Sequence, residues 1–101
     1  NSDTITITPD LFVHDALFLR GYRSRHITLR CQRDYSIDFD FEDAPFLGIW
    51  AKPAAPYVCI EPWYGINDGY EKKEDISQKR GILRLSPAKT FSFSWSACII
   101  S

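Results

Sequence analysis

The sequence predicts an all-β fold, an antiparallel β-sandwich. Strict period-two alternation, abundant aromatic residues and closely spaced turn residues carry that prediction. The residues Phe91, Phe93 and Trp95 alternate with Ser92, Ser94 and Ser96, so the segment from Thr90 reads as a strand with one wet face. Aromatic residues make up 15 % of the chain, a proportion that suits packing on a pleated surface. Turn residues separate seven or eight short apolar segments, as in a sandwich or barrel.

The elements follow in order. Thr4 to Thr8 alternates with Ile5 and Ile7 and predicts a strand whose partner lies upstream of the first residue. Pro9 to Phe12 fits one helical turn, with Thr8 as cap and Pro9 at the first helical position. Strands are expected at 16–20, 26–31, 35–41, 46–52, 57–62 and 81–85, and finally from Thr90. The long polar stretch Asn67–Arg80 predicts a solvated loop with a short helix, placed as a lid or rim beside a site.

The length of 101 residues suffices for one small domain and is too short for two. A net charge of −1 with interspersed signs offers no basic patch for nucleic acid or an anionic membrane. Arg20, Arg23, Arg25, Arg30 and Arg33 are followed at once by Asp34, Asp38, Asp40, Glu42 and Asp43, which reads as solvated strand edges. No apolar run reaches membrane-spanning length, and no signal peptide opens the chain. Cys31, Cys59 and Cys98 lack metal-ligand spacing and are expected as buried thiols in a reducing, cytoplasmic setting. The chain begins with Asn1 and contains no Met, which together with the abrupt opening strand predicts a fragment spanning 1–101 of a longer domain.

One carboxylate breaks the pattern. In Tyr57-Val58-Cys59-Ile60-Glu61 both strand faces are apolar, which predicts a central strand buried on both sides. A carboxylate at its end is costly unless partnered, and desolvation would raise its pKa toward the range of a general base. Pro62 is expected to end the ladder. Trp63 and Tyr64 supply flat surface for a sugar ring, and Gly65 turns the chain away. The competing expectation is an exposed strand end with Trp63 in the core. Asp15 is a second candidate, either converging on Glu61 or, more commonly for such a residue, capping a turn. His14 and His26 read as surface residues.

Taken in order, several blocks resemble one family. They are Leu11-Phe12-x-x-Asp15-Ala16-Leu17, Ser24-Arg25-x-Ile27-Thr28-Leu29, Phe46-Leu47-Gly48-Ile49-Trp50, Cys59-Ile60-Glu61-Pro62-Trp63-Tyr64-Gly65 and Lys79-x-Gly81-Ile82. The chain resembles the C-terminal portion of the aldose 1-epimerase (galactose mutarotase) family, in its LacX-like bacterial branch. The resemblance implies a galactose mutarotase-like supersandwich larger than this chain. It also implies cofactor-free interconversion of the α and β anomers of a hexose or related aldose. Glu61 would be the general base, Asp15 would bind sugar hydroxyls, and Trp50 and Trp63 would line the pocket. The family's catalytic His lies in the N-terminal part of the fold and has no counterpart here, so this chain alone is expected to be inactive. A non-catalytic carbohydrate-binding sandwich, or an accessory domain of a glycoside-processing enzyme, is the alternative.

Overall fold

In the computed structural model, which describes residues 3–66 and 75–101, six strands form two three-stranded antiparallel sheets. The strands are β1 (Leu17–Arg20), β2 (His26–Arg30), β3 (Ser36–Phe41), β4 (Phe46–Trp50), β5 (Cys59–Trp63) and β6 (Trp95–Ile100). The first sheet has the order β1-β4-β5 and the second the order β2-β3-β6. A single 3-10 turn, Ile76–Gln78, is the only helical element among the described residues. The all-β sandwich expected from the alternation is therefore the fold observed.

Register explains how the chain builds two layers. Arg20 pairs with Phe46 and Phe46 with Trp63, so β1 and β5 end where β4 begins. In the other sheet His26 pairs with Asp40 and Phe41 with Trp95, so β2 and β6 begin where β3 ends. All three connections between the sheets (21–25, 42–45 and 64–94) therefore leave the strands at one end of the molecule. The within-sheet links 31–35 and 51–58 close the other end.

Cross-strand partners share a face. Leu19, Leu47, Ile49 and Ile60 point inward from the first sheet, and Ile27, Phe39 and Phe41 from the second; these form the core. Leu47, at 2 % exposure, is at its centre. Its strand β4 is the middle strand of its sheet, and Phe46, Leu47 and Gly48 are all buried.

Tyr22 ties two of the connections together. Its hydroxyl donates to the Ala44 carbonyl at 2.5 Å, and its ring meets Phe41 edge-on at 5.7 Å. Burial, first of all, raises the Tyr22 pKa; the neighbouring Tyr64 raises it further, while Arg25 lowers it.

Several sequence expectations need correction. Thr4–Thr8, 81–85 and 90–94 lie in no strand, and β6 begins only at Trp95. The segment after Thr8 is instead a run of turns, with Leu11, Val13 and Asp15 donating to the carbonyls of Thr8, Asp10 and Phe12. Cys31 and Cys59 are only partly buried and Cys98 is exposed. Most of the expected lid, 67–74, lies outside the described residues.

The strand β5 is not central. It lies at the edge of its sheet among the described residues, and its residues are half-buried apart from an exposed Glu61. Pro62 does not end the ladder but sits within β5, opposite Leu47. An edge strand tolerates proline because its outward N–H is not needed for pairing.

Candidate functional site

The outer face of the β1-β4-β5 sheet follows from the same registers. One row across it is Phe18, Gly48 and Glu61; the next is Arg20, Phe46 and Trp63; on the other side Trp50 pairs with Cys59. Trp50, Glu61 and Trp63, three of the four residues singled out from the sequence, thus share one sheet face. Glu61 stands between Cys59 and Trp63 on its own strand, with the Trp50 position diagonally across on β4.

Gly48 makes this face possible. A Cβ built at position 48 would lie 2.4 Å from an atom of the Trp63 indole, with two further ring atoms within 2.8 Å. The indole therefore lies over the bare backbone of Gly48, the residue directly opposite Glu61. Trp63 also stacks on Phe18, with ring centroids 5.9 Å apart and planes inclined by 24°. Phe18 meets Phe46 at 5.2 Å. Sequence reasoning missed Gly48, although a lone glycine inside the apolar run Phe46–Trp50 signals close approach of another group.

The face has two borders. At one end Trp50 meets Tyr57 edge-on at 6.3 Å, and the Tyr57 hydroxyl accepts the Lys52 backbone N–H at 3.3 Å. At the other end the last connection returns over the sheet. A Cβ at Gly81 would come within 2.5 Å of the Phe46 ring, so residues around 81 cover that ring. Gly81, the residue that follows the expected rim segment, is thus packed against Phe46 in the Trp63 row.

Asp15 stands apart. It precedes β1 with φ 96° and accepts the N–H of Ala16 at 2.7 Å through its carboxylate. Asp enters the positive-φ region more readily than most residues because its short side chain bonds the adjoining backbone. This is the turn-capping arrangement. Asp15 precedes β1, which is separated from the strand of Glu61 by β4. No hydrogen bond joins the two carboxylates.

The histidines are elsewhere. His14 is exposed in the turn before Asp15. His26 lies on the outer face of the other sheet, where its ring bonds Asp40 at 2.6 Å and lies 3.7 Å from Asp38. The hydrogen bond that its ring N–H donates to Asp40 is the main cause that raises its pKa. A general acid facing Glu61 is therefore supplied by neither histidine. Among the described residues no cluster of three His, Cys, Asp or Glu side chains could hold a metal ion. No helix there is long and apolar enough to cross a membrane.

These features define an all-β module with one exposed carboxylate on a sheet face furnished with aromatic rings. Its whole length is similar to LacX of Lactococcus lactis subsp. lactis, in both the plasmid and the chromosomal form. Each is 28 % identical over 103 residues, covering 100 % of this chain and 34 % of the relative. The chain thus spans about one third of the length of the curated relatives it matches. No family model matches the chain, and no solved structure matches it.

Proposed function

We propose that the chain is the C-terminal part of a LacX-like aldose 1-epimerase, a cofactor-free enzyme that interconverts the α and β anomers of a hexose or related aldose in the cytoplasm. The observation that carries this reading is the register that sets Glu61 between Trp63 and the Trp50 position on one sheet face. A sugar ring presents apolar C–H faces and polar edges. Aromatic rings favour the former, and a carboxylate beside them accepts a hydrogen bond from a hydroxyl.

In this reading Glu61 takes the proton of the anomeric hydroxyl while a general acid protonates the ring oxygen. The C1–ring-oxygen bond then breaks and leaves an open-chain aldehyde. Rotation about the bond to C1 and reclosure return either anomer. The acid comes from the remainder of the longer protein, so the 101-residue chain alone is inactive. Asp15, bonded within its own turn, is left with contacts to outer sugar hydroxyls.

The exposure of Glu61 favours one competing reading, a non-catalytic sugar-binding face on which the carboxylate is only an acceptor. Anomer exchange followed by polarimetry or NMR separates the two. The gene product at its full natural length is expected to accelerate exchange. Glu61→Gln should reduce that acceleration at least about a hundredfold while leaving sugar binding within a few-fold, since acid–base groups contribute factors of this size. Wild-type turnover in Glu61→Gln would eliminate Glu61 as the base.

A further inference from the structure

The second sheet reaches past the layer that should cover it. On β6 the inward-facing residues are Trp95, Ala97 and Ile99, since they pair with Phe41, Phe39 and Ile37. Yet every residue of β6 is exposed, with Trp95 at 64 % and Ile99 at 72 %. Trp95 meets Phe39 at 5.6 Å on one side and is open on the other. Leu85, on the connection leading to β6, is 56 % exposed. The outer edge of β6 pairs with no strand among the described residues.

The size of the uncovered surface identifies what is missing. A folded monomer of 11.7 kDa has an accessible surface of about 5,900 Å² by the usual scaling. This chain has 8544 Å². The excess, about 2,600 Å², is spread over the whole chain, the opening segment and the last connection included, and compares with roughly 800 Å² buried by each partner in an interface of standard size. The Cα radius of gyration, 15.9 Å, likewise exceeds the value of about 13 Å for a compact chain of this length. The LacX relatives are about three times as long as the chain.

We infer that the inner face and free edge of β6 are a docking surface for further β-strands of the same longer chain. They complete the sandwich layer over Trp95 and Ile99 and pair along the open edge. Strand β6 suits this role because Trp95–Ile100 carries no charge or proline, the residues that protect edges meant to stay free. The inference rests on the reading that the chain is part of a LacX-like protein, but it does not depend on what that protein catalyses.

Hydrogen–deuterium exchange on the gene product at its full natural length tests it. Peptides covering 95–100 should exchange as slowly as the β3 peptide 36–41, at least about tenfold slower than in the isolated chain. Ile99→Ser should remove that protection, whereas Ile100→Ser, on the opposite face, should leave it within about twofold. Fast exchange of 95–100 in the full-length product overturns the inference. So do protection that disappears on dilution, which indicates a second copy, and a gene product of only these 101 residues. Protection of β6 without anomer exchange would leave this inference standing and remove only the proposed activity.

Discussion

An alanine at position 48 would put its methyl group inside the Trp63 indole, at 2.4 Å from the nearest ring atom. Because the indole is stacked on Phe18, it cannot move aside without also losing that contact. Gly48→Ala is therefore expected to lower stability by about 1–3 kcal/mol, the usual range for overpacking. A urea midpoint and the Trp emission spectrum check this. In a Trp63→Leu background the same substitution should cost less, and the difference measures the coupling. His26 supports a separate prediction. Its bond to Asp40 raises its folded pKa above the ordinary value of about 6.5. The stabilisation is fully present below the unfolded pKa and disappears as pH rises through the raised folded value. His26→Gln should thus lower Tm more at pH 5.5 than at pH 8.5, and added salt should shrink the difference because the pair is solvated. Equal losses at both pH values would exclude this role. These residues also mark how far the sequence could be read. Residue type alone singles out Glu61, Trp50 and Trp63 as candidates. That they share a face is not visible in residue type, because facing follows from the pairing of β4 with β5, which no local pattern encodes.

At the scale of elements, alternation gave β2 and β3 almost to the residue, since each has one wet and one dry face. The strand β4 could be read from its dense apolar run. The strand β5 was misjudged for an instructive reason: both of its faces are apolar around Cys59 and Ile60, yet Pro62 already argued for an edge. Its outward face is apolar because aromatic rings of β1 and β4 lie beside it, not because a second layer covers it. The expected strands at 4–8 and 90–94 have the right alternation but are not strands in the structure, because alternation alone does not supply ladder pairing. Where elements meet, the three connections gather at one end around Tyr22, Phe41 and Tyr64. Tyr64 meets Phe91 and Phe93 edge-on, and burial, then Asp43 and Glu42, raise its pKa. The Tyr22–Ala44 hydrogen bond joins the first two connections across this end. Tyr22→Phe keeps the ring contact with Phe41 and leaves the Ala44 carbonyl without its donor, so it should cost about 1 kcal/mol. Equilibrium unfolding measures it. No change in the midpoint would mean that water replaces the hydroxyl at Ala44.

At the scale of the whole molecule, the contrast between a small core and a large surface sets the expected behaviour of the isolated chain. Among the described residues seven apolar residues are buried, Leu47 most deeply. Exposed apolar residues occur on the opening segment (Ile5, Ile7), the last connection (Leu83, Leu85, Phe91) and β6. Burial of apolar area is the dominant favourable term in folding, while chain entropy opposes it at every residue whether or not the layer above is present. A chain that retains the entropy cost of two sheets but lacks part of their cover should be marginal. The isolated 101 residues are therefore expected to bind a hydrophobic reporter dye and to associate as concentration rises, with a broad thermal transition. The full-length gene product should bind little dye and melt cooperatively. Light scattering, dye fluorescence and calorimetry on both proteins test this together. Sharp, concentration-independent melting of the isolated chain without dye binding would show that its two sheets suffice. The strands inferred to cover β6 would then add nothing to the stability of these two sheets.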